Sequence, residues 1–149
     1  MKSQSYTLSK LDLKEFVATL LETIKKEARD GAFVIALHGD LGAGKTTLVQ
    51  TIGEALGITG SITSPTYIIM KQYDTEDERF TSLIHMDAYR IETIAELKPL
   101  RFKEMLAAQN TLFCIEWAER VASVLPPHTL TINLTISSED TRTVQVSHS

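Results

Sequence analysis

The chain has 149 residues, of which 43% are hydrophobic, 23% charged and 7% aromatic. This length and composition are typical of one domain with its own core, and we predict a single domain over residues 1–149. The net charge of −4 comes without a basic patch, and the one cysteine cannot form an internal disulfide. The sequence shows neither an apolar run of membrane-spanning length nor a signal-peptide core, so we expect a cytoplasmic protein with no membrane partner.

The first third of the sequence predicts a helix, a strand and a second helix. Apolar residues recur at helical spacing over residues 13–24, and Ser9 stands where a helix cap is expected. Residues 32–37 are apolar without interruption, which is typical of a central strand covered on both faces. A glycine-rich turn separates this strand from a helix predicted over residues 45–56. This order is the start of an α/β fold.

The remainder of the sequence predicts shorter elements. Strands are expected over residues 66–73, 82–86 and 112–115, and helices over residues 92–98, 102–108 and 118–124. Apolar and polar residues alternate over residues 130–136 and again around Val144 and Val146, which predicts a terminal hairpin. The predicted fold class is α/β: a mainly parallel sheet flanked by helices, with a C-terminal antiparallel hairpin.

One segment matches a phosphate-binding motif. Residues 39–46 read GDLGAGKT, which fits G-x-x-x-x-G-K-[ST] without a mismatch. Gly42 and Gly44 allow the backbone N–H groups to turn inward as an anion nest, and the following helix adds its dipole. We expect Lys45 to reach the β- and γ-phosphates and the Thr46 hydroxyl to ligate Mg²⁺. A glycine-rich surface turn is the alternative, but it does not account for the flanking strand and helix. The predicted phosphate contacts are Asp40, Leu41, Gly42, Ala43, Gly44, Lys45, Thr46 and Thr47.

Two acidic residues follow predicted strands. Asp87 ends the strand at residues 82–86, and Glu116 ends the strand at residues 112–115. The carboxyl ends of parallel strands converge on the ligand crevice, where acids can hold Mg²⁺ and orient a water molecule. A helix cap or a solvated acid is the alternative for each. The sequence lacks the Asn-Lys dipeptide of the guanine-binding element, which favours ATP.

Four blocks in order resemble the TsaE family: GDLGAGKTT from Gly39, SPTY from Ser64, HMDAYR from His85 and IEWAER from Ile115. The resemblance implies a single-domain P-loop ATPase of the bacterial pathway that makes N6-threonylcarbamoyladenosine at position 37 of tRNA. It implies TsaB and TsaD as protein partners and contact with tRNA through them. In this family TsaD transfers the threonylcarbamoyl group from its adenylate to tRNA, whereas TsaE hydrolyses ATP and supports turnover of the assembly.

The resemblance also implies roles for the acids and the loop. Lys45 and Thr46 would bind phosphate and Mg²⁺, and Glu116 occupies the position of the family's metal-binding acid. Asp87 would be either a water-mediated metal ligand or the group that orients the attacking water. Residues 7–9 would approach the adenine.

Other family positions are less specific. Thr66 would contact the γ-phosphate from a switch-like loop, and Trp117 would lie either beside the nucleotide or in the core. Tyr89 and Arg90 would position Asp87 or face a partner. His85 is interpreted as a satisfied histidine on a buried strand and is given no catalytic role.

Two other functions fit the same motif. One is a small metabolite kinase in which Asp87 acts as the base, although the sequence has no arginine-rich lid. The other is an adaptor that ATP switches without required hydrolysis. No arginine is clearly placed as a finger, so we expect slow hydrolysis by the chain alone, with Arg90 or a partner supplying the missing charge.

Overall fold

The computed structural model describes residues 3–60, 62 and 70–148. Its strands are β1 Ser3–Ser9, β2 Phe33–His38, β3 Met70–Asp74, β4 Ser82–Asp87, β5 Thr111–Glu116, β6 Leu130–Ile136 and β7 Thr141–His148. Its helices are α1 Lys10–Lys25, α2 Lys45–Ala55 and α3 Phe102–Leu106, with 3₁₀ helices at Ile94–Leu97 and Ala118–Val124.

The strands form one seven-stranded sheet in the order β1-β7-β6-β2-β5-β4-β3. The four central strands β6, β2, β5 and β4 run parallel, whereas β1 and β7 at one edge and β3 at the other pair antiparallel. This arrangement confirms the predicted α/β fold with its C-terminal hairpin. The carboxyl ends of β2, β4 and β5 therefore meet at one edge of the sheet.

The core explains why residues 33–37 of β2 and 112–115 of β5 are apolar without interruption. On one face of the sheet, Phe33, Ile35 and Leu37 of β2 pack with the buried residues of α1 and α2. On the other face, Val34 and Ala36 pack with residues of α3 and the two 3₁₀ helices. Because successive side chains of a strand point to opposite faces, a strand covered on both sides is apolar at every position.

Several elements differ from the sequence prediction. Strand β1 was not predicted; it lies at the sheet edge, where residues 3–7 are exposed and show no apolar alternation. The helices expected over residues 92–98 and 118–124 take the tighter 3₁₀ form. The strand expected over residues 66–73 is observed as β3, and residues 66–69 lie outside the described residues. Within the described part of the chain, no helix is both long and apolar enough to span a membrane.

Candidate functional site

The glycine-rich loop connects the end of β2 to the start of α2. Gly44 is the N-cap of α2 with φ 104°, and Gly42 has φ 82°. A Cβ at either position would meet no atom within 4 Å, so the backbone angle, and not crowding, requires glycine there. The loop therefore presents the N-terminus of α2 to the crevice, which is a site suited to anions.

Lys45 lies across this loop and is only 5% exposed. Its ammonium group donates to the backbone oxygens of Gly39 and Asp40 and lies 4.2 Å from the centre of the Trp117 ring. The cation is thus already placed at the mouth of the loop by backbone and aromatic contacts.

Thr46 and Glu116 meet at the floor of the loop. The Thr46 hydroxyl lies 3.0 Å from each carboxylate oxygen of Glu116, and Glu116 is 4% exposed. The Glu116 Oε2 atom lies 2.5 Å from Nε2 of His85, which is fully buried. The carboxylate therefore connects the first turn of α2 to the interior of β4.

Asp87 lies beside Glu116, since the two residues are register partners of β4 and β5. Its Oδ1 accepts a hydrogen bond from the Tyr89 N–H at 2.9 Å. Burial raises the pKa of the Asp87 carboxyl; the Tyr89 N–H opposes this rise and the neighbouring charge of Glu116 adds to it. The two acids thus share one cavity but differ in environment.

Trp117 forms an aromatic wall of the site. It has φ 56° and ψ 42°, a left-handed conformation that is uncommon for a large residue. Its ring lies 5.0 Å from the Tyr89 ring, and the Arg120 guanidinium lies 5.7 Å from the centre of the Tyr89 ring. Trp117 also packs against the core and lines the cavity at the loop, and its placement beside a nucleotide stays a prediction.

Two cavities meet at the loop. The first has a volume of about 230 Å³ and is lined by residues 41–47 together with Asp87, Glu116 and Trp117. The second has a volume of about 650 Å³ and lies between the β1–α1 junction and the β6–β7 hairpin. Gly42, Ala43, Gly44 and Thr47 line both, so a ligand on the loop can extend from one cavity into the other.

The structure brings most of the predicted site residues together. Lys45, Thr46, Asp87, Glu116 and Trp117 line the smaller cavity with the loop itself. Among its described lining residues Lys45 is the one cation, and no arginine contributes. The predicted loop at residues 64–67, with its contact residue Thr66, lies outside the described residues.

Sequence reasoning missed two parts of the site. His85 is buried as expected, but its contact with Glu116 was not predicted. The available signal was its spacing, because a residue two positions before Asp87 on the same strand shares that residue's face. The larger cavity was also missed; its hairpin side includes Glu139, Asp140 and Arg142, which are far from the loop in sequence.

The donor set of the smaller cavity fits Mg²⁺. The Thr46 hydroxyl and the Glu116 carboxylate supply hard oxygen donors, and Asp87 lies alongside. Among the described residues there is no cluster of three or more histidine, cysteine, aspartate or glutamate side chains that could hold a metal. Mg²⁺ does not require such a cluster, because it usually keeps several waters and takes one or two carboxylates plus substrate phosphates.

The buried strand, glycine loop and helix, with acids at two neighbouring strand ends, define a P-loop protein of the NTPase type. The family described as "Threonylcarbamoyl adenosine biosynthesis protein TsaE" matches residues 8–144. The chain belongs to the TsaE family.

Several relatives support this assignment. The Treponema pallidum protein named "tRNA threonylcarbamoyladenosine biosynthesis protein TsaE" is 36% identical, and the match covers 76% of this chain and 80% of that protein. The protein of the same name in Nostoc is 34% identical, and the match covers 93% of this chain and 85% of that protein. The protein of that name in Rickettsia bellii is 31% identical, covering 99% of this chain and 96% of its own length. A crystal structure of Bacillus subtilis YdiB superposes with a TM-score of 0.74 at 27% identity, covering 99% of this chain and 86% of that one.

Proposed function

We propose that this chain binds ATP with Mg²⁺ and hydrolyses it slowly as part of the bacterial machinery that makes N6-threonylcarbamoyladenosine at position 37 of tRNA. It acts in the cytoplasm with TsaB and TsaD, supports turnover of their complex and does not perform the transfer. The observation that carries the nucleotide chemistry is the Thr46–Glu116 pair at the floor of the glycine loop. Membership of the TsaE family supports the proposed role in this tRNA modification pathway.

The two cavities suggest how the nucleotide lies. The phosphates occupy the loop, where the α2 N-terminus and Lys45 face the smaller cavity. The base extends into the larger cavity, on the side of Leu8 and Ser9. This orientation agrees with the resemblance, which places residues 7–9 near the adenine.

The proposed chemistry divides between the buried groups. Lys45 binds the β- and γ-phosphate oxygens. Thr46 and Glu116 would hold the metal, which would supply neutralisation of phosphate charge. Asp87 orients a water molecule in line with the γ-phosphorus. The water oxygen bonds to phosphorus as the bond to the ADP oxygen breaks, and a proton of the water passes to solvent, so ADP, inorganic phosphate and a proton are the products.

Slow hydrolysis by the chain alone follows from the charges in the smaller cavity. Two carboxylates face it, and among its described lining residues Lys45 is the one cation. An arginine finger typically raises the rate about 10³–10⁵-fold. We propose that the TsaB–TsaD complex raises the rate by supplying the positive charge that the smaller cavity lacks. The net charge of −4 is consistent with tRNA being held mainly by the partners.

The test is ADP release from ATP in the presence of Mg²⁺, by the chain alone and with TsaB and TsaD from the same organism. We expect weak activity alone, a rise with the partners, and a loss of about 10²-fold or more in Lys45→Ala. The matched control is Lys14→Ala, which removes a lysine from α1 that lines neither cavity and is expected to leave the rate unchanged. Tight ATP binding without ADP release in either mixture would contradict the ATPase and favour an ATP-switched adaptor.

A further inference from the structure

His85 lies deeper in the sheet than Asp87 and Glu116. It is on β4, two residues before Asp87, and its register partner on β5 is Cys114. The His85 side chain is fully buried, and its Nε2 atom lies 2.5 Å from Oε2 of Glu116. The chemistry proposed above gives this side chain no role.

The surroundings of His85 leave Glu116 as its hydrogen-bonding partner. Burial raises the pKa of the Cys114 thiol, so the register neighbour is an uncharged, weakly polar group. The other ring nitrogen, Nδ1, is buried without a hydrogen-bond partner among the described residues.

These contacts favour one tautomer of the imidazole ring. A neutral ring has one N–H donor and one acceptor nitrogen. A proton on Nδ1 would be a buried donor without an acceptor, and orphaned buried N–H groups are rarer than acceptors that lack a donor. The proton therefore belongs on Nε2, where it is donated to the Glu116 carboxylate.

The same carboxylate is held from the opposite side. The Thr46 hydroxyl contacts both of its oxygens at 3.0 Å, while His85 contacts Oε2 from within the core. Glu116 has three side-chain torsions, and Thr46 and His85 are its side-chain hydrogen-bond partners among the described residues. Groups that hold a ligating side chain in this way typically contribute 10–100-fold to metal affinity.

We propose that His85 is a positioning residue: its Nε2–H holds the Glu116 carboxylate against Thr46, so that the pair is ready to bind the metal of a nucleotide complex. This inference rests on the proposed function for the identity of the metal site. It differs from a packing role, which would require the size of the ring but not its N–H group.

The variants that separate these roles are His85→Phe and His85→Gln. Phenylalanine keeps an aromatic ring and removes the donor, whereas the glutamine amide can place an N–H near the position of Nε2. The probes are Mn²⁺ and ADP, with Mn²⁺ binding in the presence of ADP followed by electron paramagnetic resonance. ADP affinity in EDTA, measured in parallel, reports whether the loop is intact.

We expect His85→Phe to weaken Mn²⁺ binding about 10–100-fold with ADP affinity in EDTA unchanged, and His85→Gln to recover most of the loss. Wild-type Mn²⁺ affinity in His85→Phe, or equal loss in both variants, would overturn the inference. A wild-type chain that binds neither ADP nor Mn²⁺–ADP would instead contradict the proposed function.

A second measurement probes the His85 ring directly, first in the unaltered chain and then in Glu116→Gln. In ¹⁵N spectra of the histidine rings, the Nε2 atom of His85 is expected to carry a proton. Its Nε2 signal should shift in Glu116→Gln. An Nε2 atom without a proton, or no shift in Glu116→Gln, would overturn the inference.

Discussion

The two cavities that meet at the glycine loop are built in different ways. The smaller one is formed at the parallel centre of the sheet, where Lys45 and Glu116 are 5% and 4% exposed and each contacts other protein groups. The larger one is formed by the antiparallel edge, where Lys10, Glu139 and Asp140 are exposed. Groups that perform chemistry must be held in place by a buried framework, whereas groups that recognise a base can come from surface segments.

The comparison predicts that changes in the smaller cavity reduce the rate and changes in the larger one reduce binding. The largest effect is expected for Glu116→Gln, which keeps the shape of the side chain but removes its charge. We expect ADP release in the presence of the partners to fall about 10²–10³-fold, with a higher Mg²⁺ concentration needed for half-maximal activity. A normal rate at normal Mg²⁺ would contradict the proposed metal role of Glu116.

Asp87→Asn tests the second acid and is expected to have a smaller effect. If Asp87 orients the water, kcat should fall on the order of 10²-fold while the Mg²⁺ dependence stays that of the unaltered chain. Comparing the Mg²⁺ titrations of the two variants separates the roles of Asp87 and Glu116. A shifted Mg²⁺ dependence in Asp87→Asn would instead make Asp87 a metal ligand.

Substitution of Arg142 tests whether the larger cavity contributes to ATP binding. The Arg142 guanidinium donates to the backbone oxygens of Ser138 and Thr141 and lines that cavity. We expect Arg142→Ala to raise KM for ATP about fivefold with kcat unchanged, because an interaction made equally in the bound and transition states changes binding alone. Arg142→Lys, which keeps the charge, is the matched control. A fall in kcat without a change in KM would contradict the assignment of catalysis to the smaller cavity and of binding to the larger one.

The smallest effect is expected at the start of α1, where Asp12 accepts hydrogen bonds from the Ser9 N–H and hydroxyl. These bonds lower the pKa of Asp12, so its contribution to stability is complete above the ordinary aspartate range and is lost as the pH falls through the lowered pKa. We expect Asp12→Ala to lower Tm slightly at neutral pH, and the difference to shrink in acid. Thermal unfolding at several pH values measures this; a difference that grows in acid would contradict it.

The sequence predicts the centre of the molecule better than its edge. Residues 39–46 and the apolar strand before them are local signals, so the loop and the positions of Asp87 and Glu116 at neighbouring strand ends could be inferred. Strand β1 could not, because its exposed residues pair with β7 at the far end of the chain. The larger cavity depends on that same pairing. The His85–Glu116 contact joins residues 31 positions apart. The spacing of His85 and Asp87 indicates only that they share a face of the strand, and it does not identify Glu116 as the partner.

The ring that lies against Lys45 belongs to the one tryptophan of the chain. Indole emission responds to the charges next to it, and here the ammonium group of the phosphate-loop lysine lies 4.2 Å from the ring centre. The tryptophan fluorescence of this protein therefore has a single origin, inside its own site. A ligand that draws the ammonium group away from the ring changes the emitted light without any label or partner.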